Sequence, residues 1–213
     1  LGEAIDALPG LTLDGLEFYP GYVKTVDDAA RREMARMGEM IAESKAMLEA
    51  RGIEVKIVSG GSTPLLWESH HIPGMNEIRP GTYIYNDKNT VVTGSATYDE
   101  CAAYVLTTVV STAVAGQIII DGGSKTFSSD KLAGGGSGHG YFPEAPGLEL
   151  ARMNEEHGYV ALGDTEPRFH VGDRLRVIPN HICVVVNLHE RVYCVRGETV
   201  EEVIEVEGRG KLQ

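Results

Sequence analysis

A histidine and a cysteine stand two positions apart in Pro179-Asn180-His181-Ile182-Cys183, at the head of the β-branched stretch Ile182 to Val186. Imidazole nitrogen and thiolate sulfur both bind a metal, at about 2.0–2.3 Å, and together they favour zinc over magnesium or calcium. The β-branched run predicts a strand, in which alternate side chains share a face. His181 and Cys183 would then point the same way, with Cβ atoms about 6.5–7 Å apart. Two ligands are half of a tetrahedral shell, so the open positions are where substrate could enter. The plainer reading stands beside this one. A buried cysteine packs as a small apolar residue, and a histidine can be a satisfied polar group of the core.

A second chemistry is written in glycine. Ser59-Gly60-Gly61-Ser62-Thr63-Pro64 follows a β-rich segment, and Pro80-Gly81-Thr82 follows the next one. Glycines let backbone N–H groups approach an anion, and the hydroxyls add donors, as at a phosphate-holding strand-to-helix turn. Barrel enzymes commonly build phosphate sites from the loops after the last two strands. Each turn alone is compatible with a plain turn. Asp121-Gly122-Gly123-Ser124-Lys125 reads as a tight turn. Glu155-Glu156-His157-Gly158 is either an acid/base or metal cluster or, more simply, a solvated loop. Asp99-Glu100 and Glu201-Glu202 are solvated charges, and Cys194 is packing on a strand.

The elements that must position these groups fall into two kinds. Leu16 to Val23 reads as a strand ending in a Pro-Gly turn. A helix follows over Asp27 to Arg51, with Met34, Met37, Ile41 and Leu48 on one stripe. Thr25 with Asp28 suggests its N-terminal cap and Gly52 its stop. Glu54 to Ser59 is a second strand, which makes a parallel pair with a crossover helix. Glu77 to Tyr85 extends the sheet. Beyond Asn86-Asp87 the pattern changes to strands at Tyr104–Val114, Gln117–Ile120, Leu175–Ile178, Ile182–Leu188 and Val200–Val206, with a flexible loop at Gly134 to Gly138. The expected organisation is therefore an α/β domain over residues 1–90 and an all-β domain over 91–213.

Bulk composition narrows the function classes. The 213 residues are 42% hydrophobic and 23% charged, which suits a folded globular chain. A net charge of −12 argues against nucleic acid as a partner. No apolar run approaches the ~20 residues of a membrane span. Leu1-Gly2-Glu3 starts no basic leader pattern. The cysteines, Cys101, Cys183 and Cys194, are too few and too odd in number for a disulfide framework, so a reducing cytoplasm is expected.

Taken in order, FYPGYV (18–23), VSGGSTP (58–64), EIRPGTYIYND (77–87), IIDGGSKTFSSD (119–130), EEHG (155–158) and VGDRLRVIPNHICVVVNLHE (171–190) resemble the D-threonine aldolase / D-serine dehydratase family, whose architecture is alanine-racemase-like. The resemblance implies the C-terminal portion of a (β/α)8 barrel followed by a β-barrel-like domain. It implies pyridoxal phosphate as cofactor, held by Gly61, Ser62 and Thr63 and by Gly81 and Thr82, with Tyr19 beside its ring. It implies a divalent metal on His181 and Cys183, with zinc favoured over manganese or magnesium. The Schiff-base lysine of the family lies near the start of the barrel. None of the lysines here (24, 45, 56, 88, 125, 131, 211) has that context, so no catalytic residue is assigned in this chain. A missing N-terminal half of the same enzyme and a homodimer are implied as partners. Tyr22 departs from the family, which often has histidine there. The implied reaction is lysis of a β-hydroxy-D-amino acid. The His-x-Cys pair tilts it toward D-serine dehydratase-like elimination, with D-threonine aldolase-type cleavage as the alternative. An amino-acid racemase and a non-catalytic cofactor-binding protein need no metal pair and stand further off.

Overall fold

The computed structural model describes residues 1–163 and 169–211. They form two units: residues 1–83 with 93–95, and residues 84–92 with the chain from 96 onward. The first unit holds a short helix α1 (Gly2–Asp6), strand β1 (Gly15–Glu17), helix α2 (Asp28–Glu49) and strands β2 (Ile57–Gly60) and β3 (Glu77–Ile78). The three strands form one parallel sheet in chain order, with Glu17, Ser59 and Glu77 side by side in register. Met34, Met37 and Ile41 of α2 are buried with Val58, Leu65 and Ile72, as the apolar stripe predicts. Because Val58 faces that core, its neighbour Ser59, with its register partners Glu17 and Glu77, faces the opposite side of the sheet.

Three local expectations change. The cap of α2 is Asp27, whose carboxylate accepts from Ala30 N at 2.8 Å, rather than Thr25 with Asp28. The first strand stops at Glu17, and Phe18 to Val23 leave the sheet before the Pro20-Gly21 turn. The third strand is only Glu77–Ile78, and Thr82–Ile84 form a 3-10 turn instead of extending it. Pro80 has no N–H with which to continue a ladder. Gly52, at φ +79°, ends the helix connection as expected.

The second unit begins with helix α3 (Lys88–Val92). Strands β4 (Val105–Ser111) and β5 (Gln117–Ile120) follow, then helix α4 (Ser124–Phe127) and strands β6 (Gly140–Tyr141), β7 (Glu149–Met153), β8 (Gly158–Ala161) and β9 (Arg174–Pro179). Helix α5 (Ile182–Leu188) leads to a hairpin of β10 (Arg191–Arg196) and β11 (Thr199–Glu205). Six strands pair antiparallel in the order β6-β9-β4-β5-β8-β7. His139 N, next to β6, donates to Leu150 O of β7 at 2.9 Å, so the two edge strands meet and the sheet is a nearly closed barrel. Val109, Ile118, Ile120, Phe142, Leu150, Val160 and Val177 fill it.

The β-branched run after His181 is helical, which corrects the expected strand over Ile182 to Leu188. Ile182 and Val185, three apart, are the buried residues of α5, and its first N–H is taken by the Asp87 carboxylate at 3.0 Å. Packing at helical spacing and a capped start outweigh a modest β preference.

Candidate functional site

Strand β2 runs into Gly60-Gly61-Ser62 and a 3-10 turn over Thr63–Leu65. Gly61 has φ +82°, a conformation that favours glycine. A Cβ on Gly60 would lie 2.3 Å from the Phe18 ring, so the backbone here approaches closer than a side chain permits. Ser62 and Thr63 are buried, and Ser62 Oγ has no hydrogen-bond partner. A buried hydroxyl left so costs about 1–3 kcal/mol, which an anion accepting its proton would offset. At the second turn, nothing lies within 4 Å of a Cβ placed on Gly81, so that turn faces open space. Thr82 starts the 3-10 turn Thr82–Ile84. Tyr19 lies two residues past β1 and is 71% exposed. Its ring lies over Gly21, where a Cβ would come within 2.3 Å of it. Tyr22, the departure from the family pattern, bonds Glu33 at 2.5 Å.

One guanidinium links these segments. Arg79 donates to Phe18 O at 3.0 Å, pairs with Glu17 at 3.1 Å and donates to Ser59 Oγ, whose hydroxyl in turn bonds Glu77. Glu17 and Phe18 lead to Tyr19, Ser59 leads to Gly61, and Arg79 itself leads to Gly81. The glycine approach, the orphan Ser62 hydroxyl and the Thr63 side chain make a donor set suited to a phosphate.

In the second unit, His181 is the extended residue before α5 (φ −136°, ψ 107°), and Cys183 is the second residue of that helix. They are brought together by the entry into a helix, not by alternation along a strand. Asp87, fully buried, holds the histidine: its Oδ2 lies 3.1 Å from His181 Nδ1 and accepts from Ile182 N at 3.0 Å. Its Oδ1 accepts from Thr90 N at 2.8 Å, which caps α3. The Asp87 hydrogen bond, and after it a hydrogen bond with Cys183, raises the His181 pKa to about 10. With Nδ1 committed to Asp87, Nε2 is the nitrogen left for a ligand, and the Cys183 side is exposed. Among the described residues, no three His, Cys, Asp or Glu side chains gather where they could hold a metal, so the pair is what this chain offers.

The remaining motifs are structural. Lys125 pairs with Glu155 at 3.0 Å and Glu156 at 2.6 Å in an exposed ion cluster. Asp121 accepts from Thr108 N at 2.8 Å, Glu100 closes a capping box with Thr97, and Glu201 pairs with Arg196. Two residues were not singled out from sequence. Arg79 sat unremarked in the segment before the second glycine turn. Asp87 read as a domain boundary, although an Asp three residues before Thr90 is a helix-start signal.

The chain is similar to known proteins in sequence and in fold. Residues 102–195 match the family model described as "Putative serine dehydratase domain". An uncharacterised protein of Mycobacterium bovis is 38% identical over 120 residues, which take in 52% of this chain and 90% of that protein. A D-threonine aldolase of Arthrobacter sp. is 30% identical over 217 residues, 99% of this chain and 55% of the aldolase. The crystal structure of D-threonine aldolase from Filomicrobium marinum superposes on the whole chain with a TM-score of 0.84, 28% identity and 58% of its own length covered. The chain belongs to the D-threonine aldolase / D-serine dehydratase-like family, with the alanine-racemase-like fold. It spans about half the length of the characterised relatives it matches. The D-threo-3-hydroxyaspartate dehydratase of Delftia sp. HT23 has the same fold, with a TM-score of 0.74, 26% identity, and 92% of this chain and 56% of that one covered. It has also been solved as a histidine-to-alanine variant and as a cysteine-to-alanine variant two positions further along, the latter in a metal-free form.

Proposed function

We propose that this chain carries the phosphate seat and the metal pair of a pyridoxal-phosphate- and metal-dependent lyase acting on β-hydroxy-D-amino acids. The observation that carries the reading is the Asp87–His181 bond at 3.1 Å beside Cys183, the arrangement of a metal-ligating histidine with its supporting carboxylate. The aldolase and dehydratase relatives support the substrate class, and the histidine and cysteine altered in the Delftia enzyme have the spacing of His181 and Cys183. Pyridoxal phosphate, when bound, supplies an electron sink for bond cleavage next to the amino group, and the metal a Lewis acid for the β-hydroxyl.

The residues of this chain bind and orient. Gly61, Ser62 and Thr63, with Gly81 and Thr82, would hold the phosphate, and Tyr19 would lie beside the cofactor ring. His181 and Cys183 would hold the metal. Soft sulfur beside imidazole favours zinc. The Schiff-base lysine belongs to the part of the relatives that this chain does not span. Barrel strands over residues 1–90 and a β domain over 91–213 complete the reading, in a homodimeric enzyme of the cytoplasm, which suits a chain whose three cysteines form no disulfide.

His-x-Cys favours elimination from a D-serine-like substrate. Retro-aldol cleavage of a D-threonine-like substrate is the second reading, favoured by the aldolase at 30% identity. The full-length protein, supplied with D-serine, D-threonine and 3-hydroxy-D-aspartate, separates them. A keto acid with ammonia marks the dehydratase, whereas glycine with an aldehyde marks the aldolase. Activity that survives both EDTA and His181→Ala would overturn the metal's role.

A further inference from the structure

Asp87 does two jobs with its two oxygens. Oδ1 accepts from Thr90 N at 2.8 Å, and Thr90 Oγ1 accepts from Asp87 N at 2.9 Å, so one side of the residue starts α3. Oδ2 accepts from Ile182 N at 3.0 Å, the first N–H of α5, and lies 3.1 Å from His181 Nδ1. Its side chain is fully buried, and Asn86 before it is held at φ +54°, an uncommon conformation for a non-glycine residue. A carboxylate accepts only, so every group facing it must donate. That fixes which nitrogen of the imidazole carries hydrogen.

We infer that Asp87 is a positioning residue of the metal pair: by accepting from Nδ1–H it assigns His181 Nε2 to the metal and fixes the ring plane relative to Cys183. The inference rests on the reading of His181 and Cys183 as metal ligands. It adds what selects the nitrogen, and it places that selector 94 residues earlier in the chain.

Asp87→Asn separates charge and proton direction from shape. The amide has one acceptor oxygen, which the cap of α3 uses, and an NH2 then faces His181. To accept from it, Nδ1 must lose its proton, which moves to Nε2 and blocks the metal. Thr90→Ala is the matched control, since it removes the Oγ1 bonds to the backbone N and O of Asp87 and leaves both carboxylate oxygens with their partners.

In the full-length protein, zinc affinity measured by chelator competition is expected to fall about 10–100-fold in Asp87→Asn, the range typical for losing an outer-shell partner. It should stay within about twofold of wild type in Thr90→Ala, even where the metal-free melting temperature falls equally. Cobalt substitution gives a second signature, since the Cys183 thiolate-to-cobalt absorption should need correspondingly more metal to saturate in Asp87→Asn alone. Nitrogen-15 correlation spectra of the zinc-loaded wild type should show hydrogen on Nδ1 and the metal shift on Nε2. Hydrogen on Nε2, or wild-type zinc affinity in Asp87→Asn, overturns the inference while leaving the metal pair standing. Zinc affinity that His181→Ala does not weaken overturns both. Should Asp87→Asn fail to fold, the spectra of the wild type decide alone.

Discussion

Arg79 donates to the carbonyl of Phe18 at 3.0 Å, across 61 residues of sequence, and so fixes the residue immediately before Tyr19. The same guanidinium holds Glu17 at 3.1 Å and reaches Ser59 Oγ. Arg79→Gln should therefore loosen three loop entries at once. Pyridoxal phosphate affinity, followed by absorbance or fluorescence titration of the full-length protein, is expected to fall roughly tenfold, on the order of one charge-assisted hydrogen bond. Arg79→Lys, which keeps charge but loses the planar fork, should recover only part of it. Unchanged cofactor affinity in both variants would show that the cross-link is incidental.

Ser62→Ala should move stability and binding in opposite directions. The hydroxyl is buried and has no partner in the protein. Removing it relieves a desolvation cost of about 1–3 kcal/mol in the cofactor-free protein, while removing the donor proposed for the phosphate. The expected result is an unchanged or higher melting temperature without cofactor and weaker pyridoxal phosphate binding. A lower melting temperature together with unimpaired binding would assign Ser62 to the fold instead.

His181 sets a pH dependence whose sign is fixed by geometry. Its pKa is raised to about 10, chiefly by Asp87, above the value of about 6.5 for an unperturbed histidine. Proton binding therefore favours the folded state. The contribution is complete below about pH 6.5 and is lost as pH rises toward 10. Metal-free wild type should lose melting temperature between pH 7 and pH 10, and His181→Ala should lose less. Zinc runs the other way, because it must displace the Nε2 proton. Apparent zinc affinity should climb with pH across the same window, by up to about tenfold per unit. Flat zinc affinity from pH 6.5 to 9 would contradict the raised pKa.

Gly15 is where the parallel sheet admits no side chain. A Cβ there would lie 1.8 Å from Ile57 O, its register partner. Gly15→Ala must push β1 from β2 and should cost more than about 3 kcal/mol in denaturant unfolding, the range for forced backbone clashes. Gly208→Ala, with open space around the new methyl, is the control and should be within about 0.5 kcal/mol of wild type.

How much of this was legible beforehand depended on the range of the signal. The α2 stripe Met34, Met37 and Ile41, the strand at Gln117 to Ile120 and the glycine turns were readable because local periodicity and turn chemistry decide them. The pair His181 and Cys183 stands out by residue type and spacing, but the sequence around it suggests a strand where the structure has a helix. Five β-branched or apolar residues in a row look like a strand, and what makes them a helix is a carboxylate from a distant segment. Asp87 and Arg79 escaped notice for the same reason. Their importance lies in partners that are 95 and 61 residues away, and no window along the chain contains both ends.

That separation also has a kinetic side. The Asp87–Ile182 bond closes a span of 95 residues that takes in every strand of the barrel, β4 to β9. Contacts of such span form only after the intervening barrel has ordered, because the entropy of closing the loop must be met before the contact rewards it. Until then His181 has no fixed ring plane, and Cys183 lies in a segment whose helix start is uncapped. The pair His181 and Cys183 is therefore expected to be ordered late, and a newly made chain should take up zinc poorly until its barrel has shut.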